Sequence, residues 1–421
     1  MVGASIPEIN SERIARRLQL RWLLGWFVFV LVCVTIALGL WLWQQGEPLR
    51  QMRGAVQKRH WNDALRRALS YLANHPQDAE AIRIVARSFS GLGQNAQAEM
   101  YFDRAGELGI EDLRLRGEVL IELNRPTQAV EVLAELRARG DNDPAVIQRL
   151  AVLQFQRGNH EEAFELAEQL GKEFPTHTAL AWCVQATFHV SLRHAQQAID
   201  CLQEALRLNP QADKLGLDPG TVKMFMGAAW MDLGKNDQAR DWLQAAVEHT
   251  QTAEAHWYLG EAELGCGNLR AADQCWHRAL ELDGNYFNAL FSIGKLSLQE
   301  NRPLEALEWL NLADRQGRQS SALQTALSRA NARIGHEDVA AEHARRAEDL
   351  RAKESEERDE RRLLSQYPQH LQSRLLLTRK TIERGNIAEA KAMVDELLRQ
   401  HPNSPELRDL RKSLDNPETS R

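Results

Sequence analysis

This sequence predicts an all-α solenoid of helix–turn–helix repeats, preceded by one transmembrane helix. Three observations lead there. A long uncharged run follows a short polar N-terminus, and an alanine-led phrase then returns ten times. A glycine or asparagine also stands five residues before most of those alanines.

The chain has 421 residues, too many for one small core unless the core grows by stacking. Its 52 basic and 58 acidic residues leave a formal charge of −6, which offers no net attraction for a phosphate backbone. Nucleic acid is therefore not an expected partner. Of five cysteines none forms a CxxC pair, so neither a zinc knuckle nor a dithiol redox motif is expected.

Between Arg21 and Glu47 lie 25 uncharged residues, including "WLLGWFVFVLVCVTIALGLWLW". Roughly 20 apolar residues cross a bilayer as a helix. Trp22 and Trp26 at one end, and Trp41 and Trp43 at the other, suit the two headgroup layers. A cleaved signal is the competing reading, but its small-residue site, around Ala37 and Gly39, falls inside the apolar run. We therefore expect a short polar tail over 1–21 and a retained anchor over 22–43. The flanking charges balance: Arg13, Arg16, Arg17 and Arg21 before the run, Arg50, Arg53, Lys58 and Arg59 after it. Large domains translocate largely regardless of charge, so the short tail decides, and the expected side for the repeats is extracytoplasmic.

The repeating phrase begins at Ala64, Ala98, Ala129, Ala163, Ala198, Ala239, Ala272, Ala306, Ala340 and Ala390. The successive gaps are 34, 31, 34, 35, 41, 33, 34, 34 and 50. A fixed period in this range is the signature of stacked repeats. Apolar or small residues follow each alanine at offsets of four and seven, which share one helical face. Prolines close four of these helices: Pro76, Pro175, Pro210 and Pro402. Twelve residues before the alanine stand small residues such as Ala86, Gly117, Gly227, Gly260 and Gly294, which allow a partner helix to approach closely. Five before it stand Gly93, Asn124, Gly158, Gly234, Gly267, Asn301, Gly335 and Gly385, which tolerate the left-handed conformation at a helix end.

This pattern resembles the tetratricopeptide repeat family, most closely in "HWYLGEAELGCGNLRAADQCWHRALELDGN" (256–285) and "ALFSIGKLSLQENRPLEALEWLNLA" (289–313). The resemblance spans about 48–402. It implies a right-handed superhelix whose inner face comes mainly from the first helix of each pair, and binding of peptides or partner proteins there. The expected organisation is a repeat array over 48–350, a charged helical linker over 351–362, a final repeat with its capping helix over 363–414 and a tail over 415–421. In the linker region acid-before-base pairs such as Glu342–Arg346 support one long helix.

If the family geometry holds, fifteen residues before each alanine lies on the inner face. Four consecutive units then offer Cys183, Met224, Trp257 and Phe291, an apolar stripe fit to anchor a partner. The early units offer Arg83, Arg87 and Arg114, which would meet an acidic segment. The competing reading puts the stripe in the core, since a slip of one residue would exchange Trp257 with His256.

Sequence motifs for chemistry are lacking. "GLGQNA" (91–96) fits a loose dinucleotide pattern but has no strand before it, and "HEEAF" at His160 lacks the second histidine of a zinc helix. No catalytic residue, metal, cofactor or small-molecule substrate is expected. The expected role is a membrane-anchored scaffold or adaptor that binds a partner protein or peptide in its groove. The alternative is a structural subunit of a membrane-bound or cell-envelope assembly, held through its outer face.

Overall fold

The computed structural model describes residues 47–213, 215–367 and 370–415. Among these residues the regular structure is entirely helical. The apolar run at 22–43 lies outside them; among the described residues no helix is long and apolar enough to cross a membrane. Two compact units divide the chain between Leu123 and Asn124. The single array expected over 48–350 is thus divided inside its third repeat, a boundary that the regular period does not mark.

In the first unit α1 (47–57) is followed by α2 (Trp61–Leu72), the pair α3 (Ala79–Gly91) and α4 (Asn95–Arg104), and α5 (Ile110–Glu122). Asp78 opens α3 by accepting the backbone N–H of Ala81, which satisfies one of the orphan donors of a helix start.

The second unit begins with α6 (Pro126–Ala138) and continues in pairs. These are α7 (Pro144–Gln156) with α8 (His160–Glu173), α9 (Thr178–Ser191) with α10 (Ala195–Leu208), and α11 (Pro219–Asp232) with α12 (Asn236–Val247). Next come α13 (Ala253–Gly265) with α14 (Leu269–Leu282), α15 (Phe287–Gln299) with α16 (Pro303–Asp314), and α17 (Ser321–Arg333) with α18 (Glu337–Gln366). The last repeat is α19 (Leu371–Glu383) with α20 (Ile387–Gln400), capped by α21 (Pro405–Asp415). From α7 to α18 the second helix of each pair packs on the first helix of the next, so the cores run together as a stack.

All ten phrase alanines are buried, and nine of them have no exposed surface at all. Room for this comes from the small residues twelve earlier. A Cβ on Gly260 would lie 2.4 Å from Trp276 Nε1, and one on Gly294 would lie 2.7 Å from Leu310 Cγ. The turns follow the expected rule and extend it. Positive φ occurs at the glycines and asparagines named above, and also at Arg59 (56°) and Arg193 (61°), which hold the same place in the two repeats lacking glycine or asparagine. Within these turns His194 N–H bonds back to His189 O at 2.9 Å and Asn268 N–H to Glu263 O at 2.9 Å, the six-to-one closure of a helix C-terminus.

α18 runs unbroken for 30 residues, joining the ninth repeat and the charged linker in one helix. It pairs Glu342 with Arg346 as expected. Further along, Glu354 crosses to the start of α17 and accepts the backbone N–H (2.8 Å) and hydroxyl (2.6 Å) of Ser321.

The last repeat then returns to the beginning of the second unit, where α20 packs on α6. Arg374, buried on α19, donates to Arg157 O (3.2 Å) and Asn159 Oδ1 (3.1 Å), covering the carbonyl end of α7. Glu396 joins both Arg157 and Arg374, and Arg399 pairs with Glu131. Nothing in the repeat pattern announces this closure.

Candidate partner-binding groove

The seven residues expected to meet a partner do not share one environment. Cys183 is 1% exposed and Met224 is 7% exposed. Both sit in the core, Cys183 with Ile199, Leu202 and Met226, and Met224 with Leu243 and Leu259. These two positions are corrected: α9 and α11 turn them towards their own second helices, so they present almost no surface to a partner. Trp257 and Phe291 remain half-buried.

In the first unit Arg83, Arg87 and Arg114 are also half-buried. Arg87 on α3 holds Asp112 on α5 through two bonds, Nε to Oδ1 at 2.6 Å and Nη2 to Oδ2 at 3.0 Å. Those bonds raise the pKa of the guanidinium. Arg83 approaches the same carboxylate at 3.8 Å, and Arg53 on α1 is bound to Glu80. The cavity between these helices, about 520 Å³, is therefore lined by cations already matched with Glu80 or Asp112, with Glu111 beside them. Arg114, also on α5, is not one of the residues that line it.

Trp257 on α13 is held in place. Its indole N–H donates to Ser292 Oγ at 3.2 Å, and the Ser292 hydroxyl donates to Glu261 at 2.7 Å. Tyr258 and Tyr286 flank the ring, with centroids 4.7 and 6.4 Å away. Phe291 on α15 stands over a cavity of about 490 Å³ that opens between α15, α17 and α18. Its other lining residues include Lys295, Thr325, Arg329, Arg333 and Arg351. Lys295 Nζ lies 5.4 Å from the centre of the Phe291 ring, a cation–π distance. Phe287 stacks behind at 6.1 Å.

The charges of this groove differ from those of the first unit. None of its lining residues is acidic. Arg351 donates to Thr325 Oγ1 at 2.9 Å and Arg333 to Leu298 O, both neutral acceptors. Glu354, about one turn beyond Arg351, is engaged mainly by Ser321, whose hydrogen bonds lower its pKa, with a smaller electrostatic pull from Arg358 and Arg351.

Of this groove Phe291 and Thr325 stand at the inner-face offset read from sequence, fifteen residues before Ala306 and Ala340. Lys295 and Arg329 stand one helical turn after Phe291 and Thr325, at the same offset from their alanines, so sampling one further turn would have reached them. Arg351 carries no periodic signal, because it comes from the prolongation of α18.

Family models described as tetratricopeptide repeat match residues 120–188 and 361–414, 179–211, and 259–321. The chain carries tetratricopeptide repeats. Among curated proteins it is 25% identical over 245 residues to Superkiller complex protein 3 of Homo sapiens, covering 54% of this chain and 16% of that protein. It is also 32% identical over 66 residues to a TPR repeat-containing protein of Pseudomonas aeruginosa, covering 15% of this chain and 63% of that one. The chain thus spans less than two thirds of the length of either relative. Similar solved structures include a tetratricopeptide repeat protein from Parabacteroides merdae, with TM-score 0.48, 14% identity, and coverage of 60% of this chain and 99% of that one. Another is PilW, a type IV pilus biogenesis factor, with TM-score 0.43, 14% identity, and coverage of 56% and 100%.

Proposed function

We propose that this tetratricopeptide repeat protein is a membrane-tethered scaffold or adaptor that holds a segment of a partner protein in the groove beside Phe291. One observation carries the reading. An aromatic ring and four cations surround an open cavity of about 490 Å³ that none of the described residues fills. Half-buried aromatic side chains beside a concave opening are the usual anchors of a bound segment. The name of the human relative makes that protein part of a complex, in keeping with a partner-holding role. The reading gives the chain no catalytic step.

The tether is the apolar run 22–43, with the repeats on the extracytoplasmic side. Alkaline carbonate should leave the full chain in the membrane and release a chain that starts at residue 44. Protease added from the extracytoplasmic side should digest the repeats.

Photo-crosslinking in native membranes tests the groove, with the probe placed at Trp257 or Phe291 and at the exposed Gln203 of α10 as control. A partner captured from the first two positions and not from Gln203 is the expected result. Capture from Gln203 alone would replace this reading with the structural-subunit one.

A further inference from the structure

We propose that the groove between α15, α17 and α18 takes an acidic protein segment, its carboxylates meeting Lys295, Arg329, Arg333 and Arg351 while an apolar side chain rests on Phe291. The inference rests on the groove reading above and adds the chemistry of the occupant. Charge complementarity carries it. Both grooves described here are rich in cations, and a partner's acids have value only where the cations are not already neutralised from within. Around α3 they are: Arg53 is matched by Glu80 and Arg87 by Asp112. The acidic-segment site therefore does not lie at Arg83 and Arg87, where the sequence places it.

At α15–α18 the balance is the reverse. Arg329 and Lys295 are exposed, and neither makes an ion pair among the described residues. Arg329 and Arg333 are four residues apart on α17, so both guanidinium groups leave the same face of the helix. Lys295 faces them from α15, and Arg351 closes the third side because α18 continues past the point where a repeat would normally turn. A planar guanidinium binds a carboxylate through two parallel hydrogen bonds, and several around one recess favour a chain with acids at short spacing. A folded acidic surface or a flat bilayer fits less well than an extended segment, because the cations line a recess instead of a projecting face. The Phe291 ring supplies the apolar contact that a purely ionic site lacks.

The test is fluorescence anisotropy on the full chain in neutral detergent, with two labelled peptides: a short Asp/Glu/Leu sequence and its Asn/Gln/Leu counterpart. The acidic peptide should bind, the neutral one should bind at least about tenfold more weakly, and added salt should narrow the difference. The double variant Arg329→Gln, Arg333→Gln should weaken the acidic peptide at least about tenfold. Arg270→Gln, an equal loss of charge per site on the exposed face of α14, should leave binding unchanged. These side chains are exposed, and because Arg333 also donates to Leu298 O, the single variant Arg329→Gln, which breaks no hydrogen bond among the described residues, should weaken the acidic peptide in the same direction. Equal affinity for the two peptides, or indifference to the double variant, would overturn the proposal. If both peptides bind equally and Phe291→Ala weakens both, the adaptor reading stands and this one falls. If neither peptide binds and no partner crosslinks at Phe291, both fall. Phosphatidylglycerol vesicles that bind the parent and not the double variant, with no peptide binding, would also overturn it by making a lipid headgroup the anion.

Discussion

Thr127 donates both its backbone N–H (3.2 Å) and its hydroxyl (2.7 Å) to the carboxylate of Glu389, 262 residues further along the chain. Both residues are buried. They join the first helix of the second unit to its last repeat, and the Arg374–Glu396–Arg157 cluster reinforces the join. Burial pushes the pKa of Glu389 above its ordinary value of 4.5, against the opposing pull of Thr127.

Removing the acceptor should therefore be costly, and removing only its charge should not. Glu389→Ala leaves two buried donors of Thr127 unsatisfied and should cost about 1–3 kcal/mol in denaturant unfolding. Glu389→Gln keeps an accepting oxygen. Its effect should depend on pH with a definite sign. A carboxyl raised in the folded state contributes stability that is full below its unfolded value, near 4.5, and is lost as pH rises through the folded value. The stability of Glu389→Gln relative to the parent should therefore rise as pH climbs from 4.5 towards the raised folded value. A relative stability that fell over this interval would show that the charged form is the one favoured by the fold.

The approach of α13 to α14 depends on the missing side chain of Gly260. A methyl group there would stand 2.4 Å from Trp276 Nε1 and 3.1 Å from Ala272 O. Trp276 is buried and has little freedom to move. Gly260→Ala should destabilise the second unit by about 1–3 kcal/mol, the usual range for overpacking. Adding Trp276→Leu to Gly260→Ala should cost less than the sum of the two single changes, because the smaller side chain makes room. Strict additivity in thermal unfolding would argue against this contact.

The left-handed turns allow a cleaner test of strain. Gly335 has φ of 86°, and a methyl group on its Cα would meet nothing within 4 Å, so Gly335→Ala introduces strain without a clash. It should cost about 1–2 kcal/mol. Arg59 occupies the equivalent place with φ of 56° and an exposed side chain. Arg59→Gly relieves its strain but frees the unfolded chain, so the gain should be smaller, about 0.5 kcal/mol. Opposite signs for the two changes in equilibrium unfolding are the expected outcome.

The cysteines should differ in reactivity. Burial pushes the Cys183 thiol up to about 12 and those of Cys201 and Cys275 to about 11. Cys266 is less enclosed, and its pKa is raised by a smaller degree of burial together with Asp237. Of these four, iodoacetamide near neutral pH should modify Cys266 first and Cys183 last, as read by peptide mass mapping. Early labelling of Cys183 would mean that α9 opens and that the residue is available to a partner after all.

The alanine period, the small residues twelve positions earlier and the glycine turns were all legible in the sequence, because each records a contact made inside one helix pair and repeated in the next. The same regularity explains why Arg59 and Arg193 adopt a glycine conformation: the packing of eight conforming turns shows what geometry the other two must take. Register offsets also found Phe291. They misplaced Cys183 and Met224, since the inner face and the core lie only a fraction of a helical turn apart. The tertiary structure alone decided where the second unit begins, that Glu389 closes onto Thr127, and which arginines are already matched by acids. Those outcomes depend on groups that meet across the chain without any period, and ion pairing is set by which charges come within a few ångströms of each other, which no spacing along one helix records.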